Sequence, residues 1–461
     1  MYIEREREIA LLKKFYEDRD KRVAVVYGRK GMGKSTLLRN FAKDKNSVYF
    51  AAYATTDTEE LRLFARALNQ EDAKDIKRIM EEIILMAKED DNPAVVVIDN
   101  YPDFVKADPS FEKTLYEYVV GEWKKYPIKL IICGDSFLSM DKILFGKKTL
   151  WKDYPFYQIQ VGSMSFREAR NFFKSEYPEE QLFLWAMTGA IPFHLDKITE
   201  LSVDEAMVET FFESRRGGHM LPEEIMGIEL REMAYYNRML QTLAKGLQRV
   251  NQISDVVGKP KDVVVPYMNT LMQIGMVDKE TVITEKTNRK KTRYSIVNMC
   301  DLFWFKYVAD HIDLYYKGAT EDLKTVILTD VSEYLQEAFI RLSKEYLVTT
   351  AADGRMPFTI DEIGNWWLND EETGTSEGFD IVALGKCEGK DCTIYGRCYF
   401  NDKPIEIHEL KELIELTKKV ERGGDVFYII FSSEGFNENA KTVAATIKNI
   451  MLVTLDDVVK M

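Results

Sequence analysis

Short, almost wholly apolar runs recur along the first third of the chain: Val23-Ala24-Val25-Val26-Tyr27, Ser47-Val48-Tyr49-Phe50-Ala51-Ala52, Ala94-Val95-Val96-Val97-Ile98 and Lys129-Leu130-Ile131-Ile132-Cys133. A run without a polar side predicts a strand buried on both faces. Helical stretches separate the runs, so the pattern predicts a parallel sheet with helices on both faces. Further along, Tyr235 to Lys245 and Val250 to Val257 read as amphipathic helices. Pro260 to Gly275 reads as a third, with its proline at the first helical position and its stop at the glycine. Met276-Val277-Asp278-Lys279 and Thr292-Arg293-Tyr294-Ser295-Ile296 then flank a basic tip, Thr287-Asn288-Arg289-Lys290-Lys291.

The first strand runs directly into Gly28-Arg29-Lys30-Gly31-Met32-Gly33-Lys34-Ser35, which fits G-x-x-x-x-G-K-[ST] without a mismatch. The glycines let the backbone curl so that successive N–H groups face phosphate oxygens. Lys34 then reaches the β- and γ-phosphates, and Ser35 offers its hydroxyl to Mg²⁺. Thr36 to Phe41 reads as the helix whose positive end lies under the anion. Gly28, Lys30, Gly31, Met32, Gly33, Lys34, Ser35 and Thr36 are therefore the candidates to hold a nucleoside triphosphate.

Asp99 ends a fully apolar strand, where a carboxylate would share the Mg²⁺ shell with Ser35. Asn100 follows it. An amide cannot take a proton from water, and loss of a general base typically costs about 10²–10⁴-fold in a hydrolytic step. Asp135, just after the fourth run, is the one nearby carboxylate that could stand in. It would also repel the phosphate, so slow turnover is the expectation.

Composition narrows the partners. The chain has 461 residues, 46% hydrophobic and 30% charged, which suits several globular domains. A formal charge of −13 provides no global attraction to nucleic acid or anionic lipid. The charged start, Met1-Tyr2-Ile3-Glu4-Arg5-Glu6, has no apolar leader, and no apolar run is long enough to span a bilayer. Five sparse cysteines suit a reducing compartment, so a cytoplasmic protein is expected.

The ordered set of motifs resembles the archaeal-type P-loop ATPases of the signal-transducing (STAND) class. Arg5-Glu6-x-Glu8 is similar to the family's R-E-x-E, Ser165-Phe166-Arg167-Glu168-Ala169 to its S-F-R-E-A, and Thr188-Gly189-Ala190-Ile191-Pro192-Phe193 to its T-G-G-x-P. The resemblance implies ATP and Mg²⁺ as cofactors, with Arg5 and with Pro192, in a helical lid, near the nucleotide. It also implies a fold: a P-loop sheet over 1–160, a helical lid over 161–228, a winged helix over 229–310, and a restriction-endonuclease-like α/β domain over 311–461.

Several departures matter. The family's P-L-Y-G-R is matched by Thr149-Leu150-Trp151-Lys152-Asp153, without the arginine. An arginine aimed at a γ-phosphate is worth about 10³–10⁵ in turnover. In the C-terminal region, nuclease patterns of the kind F-E, E-x-D-I-V and G-E-C-K-W become Phe339-Ile340, Gly378-Phe379-Asp380 and Gly396-Arg397-Cys398-Tyr399. Asp380 alone keeps its place, and one carboxylate beside an arginine is a poor Mg²⁺ site. A nuclease fold without nuclease chemistry is the expectation. Cys387, Cys392 and Cys398 read as hairpin and strand residues rather than zinc ligands, and Trp366-Trp367 as packing.

The expected function is an ATP-binding regulator with weak or no hydrolysis and an unknown protein partner. The alternative is an active ATPase coupled to DNA binding or DNA processing, and Arg289, Lys290 and Lys291 of the wing are the candidate DNA contacts.

Overall fold

The computed structural model describes residues 5–70, 75–135, 137–212, 222–285, 291–369, 376–420 and 424–461. The chain divides into two compact units. The first comprises Met1–Met164, Ile191–Phe193 and Glu223–Arg231, and the second Ser165–Ala190, His194–Pro222 and Glu232–Met461.

The first unit is a three-layer α/β structure. It alternates α1 (Glu6–Glu17), β1 (Val23–Tyr27), α2 (Lys34–Ala42), β2 (Ser47–Ala51), α3 (Asp57–Ala67), α4 (Ile76–Lys88), β3 (Ala94–Asp99), α5 (Tyr101–Ala107), α6 (Pro109–Val120), β4 (Ile128–Gly134) and β5 (Tyr157–Gln160). The strands are parallel, in the order β2-β3-β4-β1-β5. β3 and β4 are buried at every position, as continuous apolar runs require when helices cover both faces. Phe50 of β2 stacks on Phe64 of α3 at 4.3 Å between ring centroids, inside the core that also holds Val25, Ile98 and Ile132.

The edge strand β5 has no counterpart in the apolar pattern. Gln158 and Gln160 are exposed while Ile159 is buried, so its sequence alternates and is too short to stand out.

Within the second unit, α7 (Phe166–Ala169) and α8 (Pro178–Thr188) come first. Beyond further short helices, among them Pro192–Ile198, come α9 (Met233–Ala244), α10 (Val250–Val257) and α11 (Lys261–Gln273). The antiparallel pair β6 (Val277–Thr281) and β7 (Thr292–Ile296) comes next. Pro260 is the N-cap of α11 rather than its first residue, because its ψ of 152° is not helical. Gly275 lies just beyond that helix at a φ of +72°.

After α12 (Met299–Phe303), the 33-residue α13 (Thr320–Ala352) lies along a mixed sheet of β8 (Thr359–Asn369), β9 (Ser376–Cys387), β10 (Lys390–Tyr399), β11 (Asp425–Ser432) and β12 (Ile450–Thr454). The strand order is β12-β11-β10-β9-β8, antiparallel from β8 to β10 and parallel from β10 to β12. Trp366 and Trp367 are buried in this core beside Phe379 and Tyr395. Cys387 and Cys392 sit on opposite arms of the β9–β10 hairpin, as the spacing predicts.

Asn365 of β8 links three elements of this unit. Its Oδ1 accepts from Lys344 of α13, its Nδ2 donates to Glu280 of β6 at 3.0 Å, and its carbonyl accepts from the Ile283 N–H at 3.1 Å. Ser295 of β7 donates to the same Glu280 carboxylate at 2.6 Å.

Glu345 of α13 accepts the Phe166 N–H at 2.5 Å. Burial raises its pKa from 4.5 to about 7, against the pull of that N–H, and Glu168 adds to the rise. Between those values the folded chain keeps a proton that the unfolded chain has lost. The associated stability is full below pH 4.5 and disappears as pH rises through 7. Glu345→Gln keeps an acceptor without the charge, so it is expected to be near neutral at pH 5 and stabilising by roughly 1–3 kcal/mol at pH 8. Urea unfolding at the two pH values checks this, and equal effects at both would contradict it.

Candidate functional site

The phosphate loop bridges β1 and α2 at the C-terminal end of the sheet, the end at which open parallel sheets bind ligands. Gly31 and Gly33 adopt φ of +87° and +78°, conformations a side chain would strain. A Cβ on Gly28 would collide with the Val161 carbonyl oxygen. Met32 is buried, whereas Lys30 and Thr36 are exposed.

Lys34 begins α2 and is only 4% exposed. Its ammonium donates to the carbonyls of Gly28 and Arg29 at 2.8 and 2.9 Å and pairs with the Asp135 carboxylate at 2.5 Å. Asp135 thus faces the lysine of the loop.

Asp99 is 3% exposed at the tip of β3, two strands from β1. Its Oδ2 accepts from Ser35 Oγ at 2.6 Å and from the Tyr49 hydroxyl, and its Oδ1 accepts from the Asn100 N–H at 3.0 Å. Burial pushes its pKa up, but the hydrogen bonds of Ser35, Tyr49, Cys133 and the Asn100 N–H outweigh it and hold the carboxylate below its usual range. The acid is therefore ionised, with the Ser35 hydroxyl in contact. A hydroxyl and a carboxylate so placed are the oxygen donors a Mg²⁺ site uses.

Tyr49 and Cys133 escaped the sequence analysis. Both lie on strands flanking β3, so knowledge of the strand order would have pointed to them. Burial and the bond to Asp99 raise the Tyr49 hydroxyl pKa, and burial raises that of the Cys133 thiol, so both donate as neutral groups.

Asn100 occupies the left-handed region, φ +53° and ψ +40°, which asparagine tolerates better than most residues. Its side-chain amide donates to the Ala52 carbonyl at 3.1 Å, so it ties β3 to the end of β2.

Arg5, only 3% exposed, donates to the carbonyls of Met32, Gly162 and Ser163 at 2.7, 2.7 and 2.9 Å, with Glu8 at 3.5 Å. It braces the crest of the phosphate loop against the segment after β5. Pro192 opens the helix Pro192–Ile198 against the loop: the Phe193 N–H donates to the Gly31 carbonyl at 3.2 Å, and a Cβ on Gly33 would lie 3.6 Å from the proline ring.

In the second unit, a separate cleft of about 610 Å³ is lined in part by Glu337, Ile340, Lys344, Asp380, Arg397 and Tyr399. Burial raises the Asp380 pKa, while the Cys398 N–H and then Arg397 and Lys344 pull it down. Arg397 donates to the Gly378 carbonyl at 3.3 Å and lies 3.7 Å from Glu412, and Arg341 pairs with Glu337 at 2.7 Å. Of the basic hairpin tip, Arg289 and Lys290 lie outside the described residues, and Lys291 pairs with Glu285 at 2.6 Å.

A complete phosphate loop on a parallel sheet, with an ionised carboxylate two strands away, defines a P-loop ATPase-like domain, followed here by a separate α/β sheet domain. Residues 2–198 match an ATPase domain predominantly from Archaea, and residues 304–410 match archaeal and bacterial proteins of unknown function. The chain therefore carries an archaeal-type ATPase domain joined to a C-terminal domain of that second family. An uncharacterized protein of Methanocaldococcus jannaschii is 25% identical over 409 residues, 85% of this chain and 86% of the relative.

Among solved structures, a Walker-type ATPase of Pyrococcus abyssi is similar with a TM-score of 0.52 at 15% identity, over 66% of this chain and 96% of that one. The ORC2 protein of Aeropyrum pernix, in ADPNP and ADP complexes, gives a TM-score of 0.46 at 14% identity, over 68% and 95%. At such identities the Pyrococcus similarity bears on the fold alone. No helix among the described residues is long and apolar enough to cross a membrane.

Proposed function

We propose that this protein binds Mg-ATP through Gly28 to Thr36 and Asp99 and acts as a nucleotide-dependent switch that hydrolyses ATP slowly or not at all. One observation carries this reading: the side chain after the Asp99 acid is an amide already spent on the Ala52 carbonyl. Grip on the triphosphate comes from Lys34, Ser35 and the loop N–H groups. A base to activate water is missing beside Asp99.

We further assign residues 229–310 to a winged helix serving as an interdomain adaptor, and 311–461 to a restriction-endonuclease-like domain without nuclease activity, with boundaries at 160 and 228 before them. Support for the adaptor is the succession of α9, α10, α11 and the β6–β7 hairpin. Support for the second is Arg397, a cation facing the one retained carboxylate, Asp380, which would repel a divalent metal. A cytoplasmic location fits five cysteines that form no disulfide.

The test is ATP affinity and turnover of the purified chain beside Asn100→Asp, a variant that tolerates the left-handed backbone. Wild-type turnover is expected below about 0.1 per second, against ordinary values of about 1–10³. Asn100→Asp is expected to gain roughly 10–100-fold in turnover with ATP affinity little changed. Ordinary turnover by the wild type would overturn the switch reading. DNA cleavage lost in Asp380→Ala would establish the processing alternative.

A further inference from the structure

The Lys34 ammonium has three protons, and all three are committed, to the Gly28 carbonyl, the Arg29 carbonyl and Asp135. To reach a phosphate oxygen, Lys34 must release a partner. Two of the three are main-chain carbonyls of the loop itself. Asp135 is a side chain just beyond β4, whose last residue, Gly134, pairs with Tyr27 of β1, and its carboxylate is 39% exposed. It is the partner free to turn away.

We propose that Asp135 sets the nucleotide selectivity of this site, favouring a diphosphate over a triphosphate by holding Lys34 when no γ-phosphate is present and opposing that phosphate when it is. The inference rests on the nucleotide-binding reading above. The β-phosphate is cradled chiefly by the loop N–H groups, which Asp135 does not touch, so a diphosphate can bind with the Lys34–Asp135 pair intact. The γ-phosphate instead brings further negative charge to the side of Lys34 that Asp135 occupies. Like charges a few ångströms apart in a partly buried site repel strongly enough to change affinity by an order of magnitude. Triphosphate binding therefore requires Asp135 to swing into solvent and leave Lys34 to the phosphates.

The contrast with a neutral residue is direct. An asparagine of the same shape at position 135 would donate to a γ-oxygen instead of repelling it.

Calorimetric titration of the full-length chain with Mg-ATP and Mg-ADP tests this on the wild type, Asp135→Asn, Asp135→Glu and Lys34→Ala. The wild type is expected to bind ADP about tenfold more tightly than ATP. Asp135→Asn, which keeps the shape and removes the charge, is expected to tighten ATP about tenfold while ADP changes by less than about threefold. Asp135→Glu, which keeps the charge, should stay near the wild-type ratio. A merely structural role would move both nucleotides together. An ATP-to-ADP affinity ratio unchanged in Asp135→Asn overturns the proposal and leaves the nucleotide site standing. Absence of nucleotide binding in the wild type, or undiminished binding in Lys34→Ala, removes the site itself and the proposal with it.

Discussion

Lys34→Ala is expected to weaken Mg-ATP binding by about a hundredfold or more, the scale on which losing one member of a buried, charge-assisted contact shows itself. The ammonium is buried at the mouth of α2, within reach of both the loop carbonyls and Asp135. Its removal costs the phosphates their counter-charge and leaves Asp135 unpaired to repel them. Titration of the variant with Mg-ATP measures the loss, and circular dichroism separates it from unfolding. Near-wild-type affinity in a folded variant would mean that the loop does not hold the phosphates.

Gly189→Ala is expected to damage the second unit without touching the phosphate loop. Gly189 ends α8 at a φ of +60°, and a Cβ there would overlap the Asn298 side-chain amide. That amide donates to the Gly189 carbonyl at 3.0 Å, and its oxygen accepts the Cys300 N–H at 2.9 Å as the N-cap of α12. The substitution strains the backbone and pushes out a cap together. A destabilisation of about 2–4 kcal/mol follows, read as a melting temperature lower by roughly 5–10 °C. An unchanged melting profile would show that the glycine can be replaced freely.

Much of the first unit is legible in the sequence because its strands are covered on both faces. Val95 to Ile98 cannot be anything but interior, and Asp99 at the end of that run stands out as the one charge. The phosphate loop is legible for a related reason: its glycines answer to backbone geometry that three-dimensional context does not alter. Strand order is another matter. Tyr49 and Cys133 join Asp99 only because β2 and β4 flank β3, and no local pattern encodes that adjacency. Asn100 reads as a lost base in the sequence, and the structure adds its anchoring bond to Ala52. Arg5 is visible as part of a motif, but its three carbonyl partners lie 27 to 158 residues away, beyond the reach of any local pattern.

The chain of contacts through Asn365 bears on how the β6–β7 hairpin behaves. A protruding ribbon is ordinarily a supple arm that can swing to meet whatever it touches. Here Glu280, near the far end of β6, and Ser295 of β7 are stitched through Asn365 to Lys344, so the ribbon shares the stiffness of the long helix and the sheet. A load applied to its paired strands is passed to that framework instead of being absorbed by bending, which makes the ribbon a lever on the C-terminal domain rather than a tether.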